Sequence, residues 1–188
     1  MSDQELVNAV TGGDTKAFEQ LVSTYKKSVF NTVLGFLHDI ENAEEITQDV
    51  FVKVYETIGG FKGEAKLSTW IYRISVNQAL DYLRKAKRKK RFGTLLSLFN
   101  SENEVVYQPV NFEHPGVLME NKEKAVLLFK AIDGLPDKQK TAFLLQKIEH
   151  CSQQKIAEIM QLNEGAVESL LTRAKLNLRK SLTRYYAS

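Results

Sequence analysis

One long stretch in the middle of the chain, Phe92–Gly116, has no helical or strand periodicity, whereas apolar residues on both sides of it recur at helical spacing. It holds two of the three prolines of the chain. Because a structureless connection of about 25 residues is uncommon inside one compact domain, the stretch predicts a linker between two domains. We therefore expect an all-α protein with two small helical domains, 1–91 and 119–188, joined by a flexible linker over 92–118.

Helical periodicity extends through both predicted domains, and no run of alternating apolar residues is long enough for a strand. Gly-Gly pairs and the Gly134-Leu135-Pro136 sequence mark breaks between helices, with Pro136 placed in the first turn of the helix that follows. The predicted helices are Asp3–Thr11, Thr15–Leu37, Ile40–Ile58, Leu67–Arg91, Met119–Asp133, Pro136–Glu149, Ser152–Met160 and Glu164–Tyr185.

Composition excludes several classes of protein. Hydrophobic residues make up 43% and charged residues 26% of the chain, which is typical of a folded globular protein. The first residues lack the pattern of a signal peptide, and no apolar stretch approaches the roughly 20 residues of a membrane span, so we expect a cytoplasmic protein without membrane insertion. Cys151 is the only cysteine, which excludes an internal disulfide.

Residues with catalytic or metal-binding chemistry are scattered. The three histidines form no pattern with a nucleophile, and no glycine-rich phosphate loop occurs. His150 and Cys151 are adjacent, but two ligands without companions predict no metal site, and Cys151 is interpreted as a small buried apolar residue. We therefore expect no enzymatic activity and no cofactor.

The formal net charge is only +3, but charge is unevenly distributed. The segment Asp39–Asp49 has five acidic residues and no basic one, whereas Arg84–Arg91 has seven basic residues and no acidic one. After Glu168 the chain again has only basic charges. Two separate basic segments favour two contacts with nucleic acid, although each could also be a solvated helix face.

The segment Gln153–Leu170 has the pattern of a helix-turn-helix. Ile156, Ala157 and Met160 on the first helix are spaced to pack against Val167 and Leu170 on the second. Two N-caps are predicted for these helices, at Ser152 and Asn163. Gln161 departs from the usual pattern, in which glycine serves the left-handed turn conformation, and adopting that conformation would cost Gln161 about 1 kcal/mol of strain. An ordinary amphipathic helix in a small bundle is the alternative interpretation.

In such motifs the second helix enters the major groove of duplex DNA. The apolar spacing of Val167, Leu171 and Ala174 leaves the opposite side of the helix for DNA. Glu168 could accept a hydrogen bond from a cytosine amino group, and Arg173 could pair with guanine or phosphate.

The predicted helix Ile40–Ile58 is two-sided. Its polar side could bind a basic partner surface and has Glu45, Gln48, Asp49 and Val52. Its opposite, apolar stripe has Ile46, Val50, Phe51, Val54, Tyr55 and Ile58.

A glycine-containing loop from Phe61 to Trp70 follows, in which Ser68 or Thr69 is expected to cap the next helix. That helix has an apolar face with Val76, Leu80 and Leu83 and a polar face with Arg73, Asn77, Asp81, Arg84 and Arg88. Aromatic, amide and cationic side chains in this order suit single-stranded DNA. Trp70 could pack in the core or contact a base. The two roles are equally open, and one does not exclude the other.

Three stretches resemble the extracytoplasmic function (ECF) group of the sigma-70 family of RNA polymerase sigma factors: Asn42–Tyr55, Phe61–Arg84 with its Ser68-Thr69-Trp70-Ile71-Tyr72-Arg73-Ile74 motif, and Ile156–Arg179. The resemblance covers nearly the whole chain. It implies a sigma region 2 in 1–91 and a sigma region 4 in 119–188. The partners it implies are core RNA polymerase (the β′ clamp helices and the β subunit), promoter DNA and an anti-sigma factor.

Three sets of site residues are expected from this resemblance and from the charges. The polymerase-binding set is Glu45, Gln48, Asp49 and Val52. The set for the minus-10 element is Phe61, Lys62, Ser68, Trp70, Arg73, Asn77, Arg84 and Arg88. The set for the minus-35 element is Glu164, Glu168, Ser169, Thr172, Arg173 and Lys175. Glu168 stands where many relatives have a basic residue, and the apolar linker segment Leu95–Phe99 is expected near the RNA exit path.

Two other functions compete with this one. A stand-alone helix-turn-helix regulator would use only the C-terminal domain and would leave the acidic Glu45–Asp49 face unexplained. A helical adaptor that binds no DNA would leave both basic segments unexplained.

Overall fold

The computed structural model describes residues 2–96 and 122–186, and all regular structure in these ranges is helical, which confirms the expected all-α fold for this part of the chain. A 3₁₀ turn at Ile58–Gly60 separates the third and fourth helices. The helices are α1 (Asp3–Thr11), α2 (Thr15–Leu37), α3 (Ile40–Thr57), α4 (Leu67–Leu96), α5 (Lys122–Asp133), α6 (Asp137–Lys147), α7 (Gln153–Met160) and α8 (Glu164–Tyr186).

Most predicted helix boundaries agree with the structure to within three residues. The exception is α4, which continues five residues beyond the predicted end at Arg91. The predicted linker, 92–118, lies outside the described residues from position 97 onward, and so do the last three residues of the apolar segment Leu95–Phe99. Pro136 is the N-cap of α6 and not its first helical residue, because its φ of −55° is combined with an extended ψ of 143°.

The N-terminal half, α1 to the first turns of α4, packs around one apolar core. Its centre is formed by side chains that are almost fully buried: Leu21, Val29, Val33, Val50, Val54, Leu67 and Ile71. Phe61 and Trp70 are partly buried at the edge of this core. The loop before α4 is therefore attached to the body of the N-terminal half.

The start of α4 differs from the prediction. The helix begins at Leu67, so Ser68 and Thr69 lie inside its first turn and cannot act as its N-cap. Instead, Asp3 Oδ2 accepts a hydrogen bond of 2.8 Å from the Leu67 N–H. A carboxylate next to a helix N-terminus also stabilises the positive end of the helix dipole. The predicted cap by Ser68 or Thr69 is thus wrong, because a residue 64 positions away supplies it.

The C-terminal half, α5 to α8, has a second apolar core. It is built on Leu145, Ile156, Val167, Ala174 and their neighbours. The same core also contains Phe36 from α2 and Val76 and Ala79 from α4, all buried. The two halves are therefore packed against each other.

One apolar prediction on α3 is wrong. Tyr55 was expected in the buried stripe with Val50 and Val54, but 55% of it is exposed. Its ring stands edge-on to Phe18 with 5.1 Å between ring centroids. Tyr55 lies at the margin of the buried face, where Phe18 of α2 covers only one side of the ring.

None of the helices within the described residues has the length and apolar character needed to cross a membrane.

Candidate functional site

The acidic side of α3 is exposed, as predicted. Glu45, Gln48, Asp49 and Val52 all face solvent, and Val52 is 57% exposed. Ile46, Val50 and Val54 on the opposite side are buried and hold the helix on the N-terminal core. Sequence analysis missed Tyr55, which adds an exposed aromatic ring beside Val52. The α3 face therefore combines carboxylates with exposed apolar groups, a composition that suits a protein partner with basic and apolar surface.

The loop before α4 is ordered by a pair of aromatic rings. Phe61 and Trp70 pack edge to face with 5.8 Å between centroids, and both are half-buried. Gly63 turns the loop with a φ of 71°, a left-handed conformation that glycine adopts without a steric penalty. Lys62 beside it is exposed. Trp70 thus both packs on the core and keeps part of its ring accessible.

The predicted polar face of α4 is only partly open to solvent. Asn77, Arg84 and Arg88 are exposed, whereas Ser68 and Arg73 are half-buried. Ser68 Oγ accepts a hydrogen bond of 3.0 Å from Lys155 Nζ. The Arg73 guanidinium donates to the backbone carbonyl of Glu158, through Nη2 at 2.7 Å and Nε at 3.2 Å. Side chains predicted to contact DNA are thus bound by α7 of the same chain.

The helix-turn-helix prediction is confirmed in its details. Ser152 Oγ accepts a hydrogen bond from the Lys155 N–H, and Asn163 Oδ1 accepts one of 2.8 Å from the Ala166 N–H. Gln161 ends α7 with a φ of 55°, so it adopts the left-handed conformation that glycine usually serves in this turn. These contacts fix the sharp reversal between α7 and α8.

The helix α8 has a buried and an exposed side. Val167, Leu171, Ala174 and Leu178 pack into the C-terminal core. The opposite side presents every residue of the predicted minus-35 set to solvent: Glu164, Glu168, Ser169, Thr172, Arg173 and Lys175. This geometry leaves the α8 face available to the major groove of a duplex.

Sequence analysis missed a set of polar residues that join the two halves. Lys140 is 4% exposed, and its Nζ donates to Asp133 Oδ1 at 2.5 Å and to the Phe36 carbonyl at 3.2 Å. His38 Nε2 lies 3.3 Å from the same Asp133 oxygen. A buried lysine with partners from two distant segments leaves no signal in local periodicity, so no pattern in the sequence could have found it.

Electrostatics at this cluster favour the ionised carboxylate. Burial by itself raises the pKa of Asp133, but the hydrogen bond from His38 and the charge of Lys140 outweigh burial and lower this pKa to about 2. A second polar contact joins the two halves: Tyr72 Oη of α4 donates a hydrogen bond of 2.7 Å to Glu149 Oε2. Burial raises the pKa of the Glu149 carboxyl despite this hydrogen bond. Burial, and next the negative charge of Glu149, raise the pKa of the half-buried Cys151 thiol.

Comparison with known proteins matches both halves of the chain to families. Residues 21–89 match the model of Sigma-70 region 2, and residues 125–178 match that of Sigma-70, region 4. The first range contains the α3 face and the first part of α4, and the second contains the helix-turn-helix.

Curated relatives align along almost the entire chain. The RNA polymerase sigma-H factor of Pseudomonas aeruginosa is 31% identical over 96% of this chain and 93% of its own. The ECF RNA polymerase sigma-E factor of Haemophilus influenzae is 34% identical over 93% and 92%. The ECF RNA polymerase sigma factor SigW of Bacillus subtilis is 30% identical over 97% of both.

Solved structures share the fold. CnrH, solved in complex with the cytosolic domain of CnrY, superposes with a TM-score of 0.66 at 19% identity over 97% of both chains. The sigma factor RpoE from Bartonella quintana, solved with the anti-sigma factor NepR, gives a TM-score of 0.64 at 21% identity over 90% of this chain and 98% of its own. Because region 2 and region 4 are both matched and the relatives are 30–34% identical over more than 90% of each chain, this chain belongs to the ECF group of the sigma-70 family of RNA polymerase sigma factors.

Proposed function

We propose that this chain is an alternative sigma factor that binds core RNA polymerase and directs promoter-specific initiation of transcription. The observation that carries the proposal is that an exposed acidic and apolar face on α3 occurs in one chain with a helix-turn-helix in α7 and α8. A stand-alone regulator would need only the second of these. The match of residues 21–89 to sigma region 2 favours the polymerase subunit.

The α3 face is proposed as the contact with the β′ clamp helices of the polymerase. Glu45 and Asp49 supply negative charge that complements a basic surface, and such complementarity increases both association rate and specificity. Val52 and Tyr55, both more than half exposed, supply apolar area to be buried in the contact. The N-terminal half, 1–91, then serves as region 2.

The minus-10 element is assigned to the loop and the polar side of α4. Phe61 and Trp70 provide ring surface on which an unstacked base can lie, and Lys62 provides charge for a phosphate. Asn77 offers an amide to the edge of a base, while Arg73, Arg84 and Arg88 continue along the helix toward phosphates.

The minus-35 element is assigned to α8 in the C-terminal half, 119–188. Glu164, Glu168 and Ser169 lie near the N-terminus of α8, the end from which recognition helices read base edges. Arg173 and Lys175 follow and can bind guanine or phosphate. In this scheme the chain supplies promoter specificity, and the polymerase carries out RNA synthesis.

An anti-sigma factor is proposed as a further partner, since the sigma factor RpoE from Bartonella quintana, which shares this fold, was solved in complex with the anti-sigma factor NepR. The partner would hold the chain away from the polymerase until it is released.

Reconstituted transcription tests the proposal. Purified chain is mixed with core polymerase and a panel of promoters, and we expect a stable complex with core and RNA from a subset of the promoters. A chain that footprints duplex DNA without binding core would be the stand-alone regulator. A chain that neither binds core nor starts promoter-dependent RNA would contradict the proposal.

A further inference from the structure

The first helix, α1, lies beside the loop that the proposed function assigns to the minus-10 element. At the C-terminal end of α1, a Cβ atom at Gly59 would lie 3.6 Å from Thr11 Cγ2. At the N-terminal end, a Cβ atom at Gly63 would lie 3.4 Å from Gln4 Oε1. The helix therefore runs along the segment that leads from the 3₁₀ turn into the loop. It does so from outside the range 21–89 that matches sigma region 2.

Two sets of contacts hold α1 itself in place. Leu6, Val7 and Val10 are buried in the N-terminal core. A capping box closes the first turn, in which the Glu5 N–H donates to Ser2 Oγ at 3.3 Å and the Ser2 N–H donates to Glu5 Oε2 at 2.7 Å. Such a box binds two backbone donors that a helix leaves without partners. The helix α1 is therefore a fixed support for a neighbouring loop.

The residue before α4 cannot cap that helix with its side chain. This residue is Lys66, and its backbone carbonyl accepts hydrogen bonds from the Thr69 and Trp70 N–H groups at 2.9 and 3.2 Å. A lysine side chain has no acceptor atom for another N–H group of the first turn. Asp3 Oδ2 instead accepts the Leu67 N–H at 2.8 Å. Without the Asp3 carboxylate, the Leu67 N–H would be left to water.

The first turn of α4 carries a ring on which minus-10 recognition depends in the proposed function. Leu67 is fully buried in the N-terminal core, and Trp70 follows three positions later. The Trp70 ring lies edge-on to Phe61, which stands at the other end of the loop. A displacement of Leu67 would therefore shift Trp70 relative to Phe61 and change the ring surface that an unstacked base can use.

We propose that Asp3 is a positioning residue for the minus-10 element: it fixes the start of α4 through Leu67, and α1 in turn fixes Asp3. Asp3 needs no contact with DNA, because it acts through the placement of Trp70. The proposal rests on the proposed function, since it takes the loop Phe61–Trp70 as the surface for minus-10 DNA. Core binding through α3 and duplex binding through α8 do not involve Asp3.

Three full-length variants test this role. Asp3→Ala removes the acceptor from an exposed position, so both apolar cores keep their side chains. Asp3→Asn removes the charge but keeps a side-chain oxygen that can accept the same hydrogen bond. Asp14→Ala is the matched control, because Asp14 Oδ1 accepts hydrogen bonds from the Lys16 and Ala17 N–H groups and so caps α2. The control removes a carboxylate cap from a helix that carries none of the minus-10 residues.

The free chain and its complex with core polymerase are both measured. Trp70 is the only tryptophan of the chain, so its emission in the free chain reports the surroundings of the first turn of α4. Competition with labelled wild-type chain gives the affinity for core. With core bound, affinity is measured for a promoter fork with a single-stranded minus-10 element, taken from a promoter that the wild-type chain uses, and for the same fork with a scrambled minus-10 sequence. Urea unfolding gives the free energy of unfolding.

We expect Asp3→Ala to lower the ratio of the two fork affinities about fivefold, the factor that corresponds to loss of one helix cap, and to shift the Trp70 emission. Asp3→Asn should keep both properties close to those of the wild-type chain. Asp14→Ala should lower the free energy of unfolding but leave the fork ratio and the Trp70 emission unchanged. The affinity for core should be the same in all four proteins.

Equal fork ratios for Asp3→Ala and Asp14→Ala would overturn the positioning role and leave the proposed function intact. A fork ratio as low in Asp3→Asn as in Asp3→Ala would also overturn it, since the charge and not the hydrogen bond would then matter. Failure of the wild-type chain to bind core or to start transcription would instead contradict the proposed function. The two conclusions are therefore separable.

Discussion

The α3 and α4 helices belong to the same half of the molecule but differ in access. The α3 face is exposed to solvent from Glu45 to Tyr55, whereas the polar side of α4 is hydrogen-bonded to α7 at Ser68 and Arg73. A partner protein can therefore reach the whole α3 face, whereas on α4 only Asn77, Arg84 and Arg88 of the predicted polar face are exposed. The difference shows that two faces predicted in the same way from the sequence can differ in access once a second element packs on one of them.

The largest expected effect comes from Asp49→Arg on α3. A reversed charge within a complementary interface creates like-charge repulsion worth several kcal/mol, so we expect binding to core polymerase to weaken about 100-fold. Binding is measured by competition with labelled wild-type chain. Glu19→Arg, the same change on an exposed position of α2, is the control. Equal core affinity in the two variants would remove α3 from the polymerase contact.

The next effect concerns α8, whose predicted minus-35 set is exposed like the α3 face. Arg173→Ala should weaken binding to minus-35 duplex about tenfold, because one arginine–base contact contributes roughly 1–3 kcal/mol. Core binding should not change. Lys180→Ala, an exposed cation two turns later, is expected to weaken binding less and equally for all sequences. A footprint that is the same in both variants would exclude Arg173 from base recognition.

A smaller effect is expected from Lys155→Met, which removes hydrogen bonds between α7 and α4. Burial lowers the pKa of Lys155, and its Nζ bonds Ser68 and Thr69 of α4. Loss of these bonds should lower the free energy of unfolding by about 1 kcal/mol. Urea unfolding followed by circular dichroism measures this change. A free energy of unfolding equal to that of the wild-type chain would contradict the stabilising role of Lys155.

The smallest effect concerns pH and Glu149. Burial raises the pKa of this carboxyl from 4.5 in the folded chain, so ionisation of Glu149 destabilises the fold relative to the protonated form. The contribution of Glu149 to the free energy of unfolding should therefore increase as pH falls through the raised pKa toward 4.5, where Asp133, with a pKa of about 2, remains ionised. Glu149→Gln keeps an acceptor for Tyr72 and should remove this part of the pH dependence of the free energy of unfolding. Identical pH profiles for wild type and Glu149→Gln would contradict the assignment.

Local features of the fold could be predicted from the sequence because they depend on neighbours three or four residues apart. The caps at Ser152 and Asn163 and the two sides of α3 and α8 all follow from spacing and side-chain chemistry. These features include the complete exposed set on α8 and the four residues predicted on α3.

Long-range packing could not be predicted in the same way. Apolar residues at Val76, Leu80 and Leu83 indicate that one side of α4 is covered, but the spacing is the same whichever element covers it. The same limit applies to Asp3 as the cap of α4 and to Tyr55, whose exposure depends on how much of its ring Phe18 covers.

The sequence by itself determined that this chain is helical, that its C-terminal part has the pattern of a helix-turn-helix, and that it resembles ECF sigma factors. Tertiary structure alone decided that α7 lies on α4 and that Lys140 is buried between α2 and α5. The physical reason is that periodicity records which side of a helix avoids water, whereas the partner of that side is chosen by shape, charge and hydrogen bonding between segments as far apart as 104 positions.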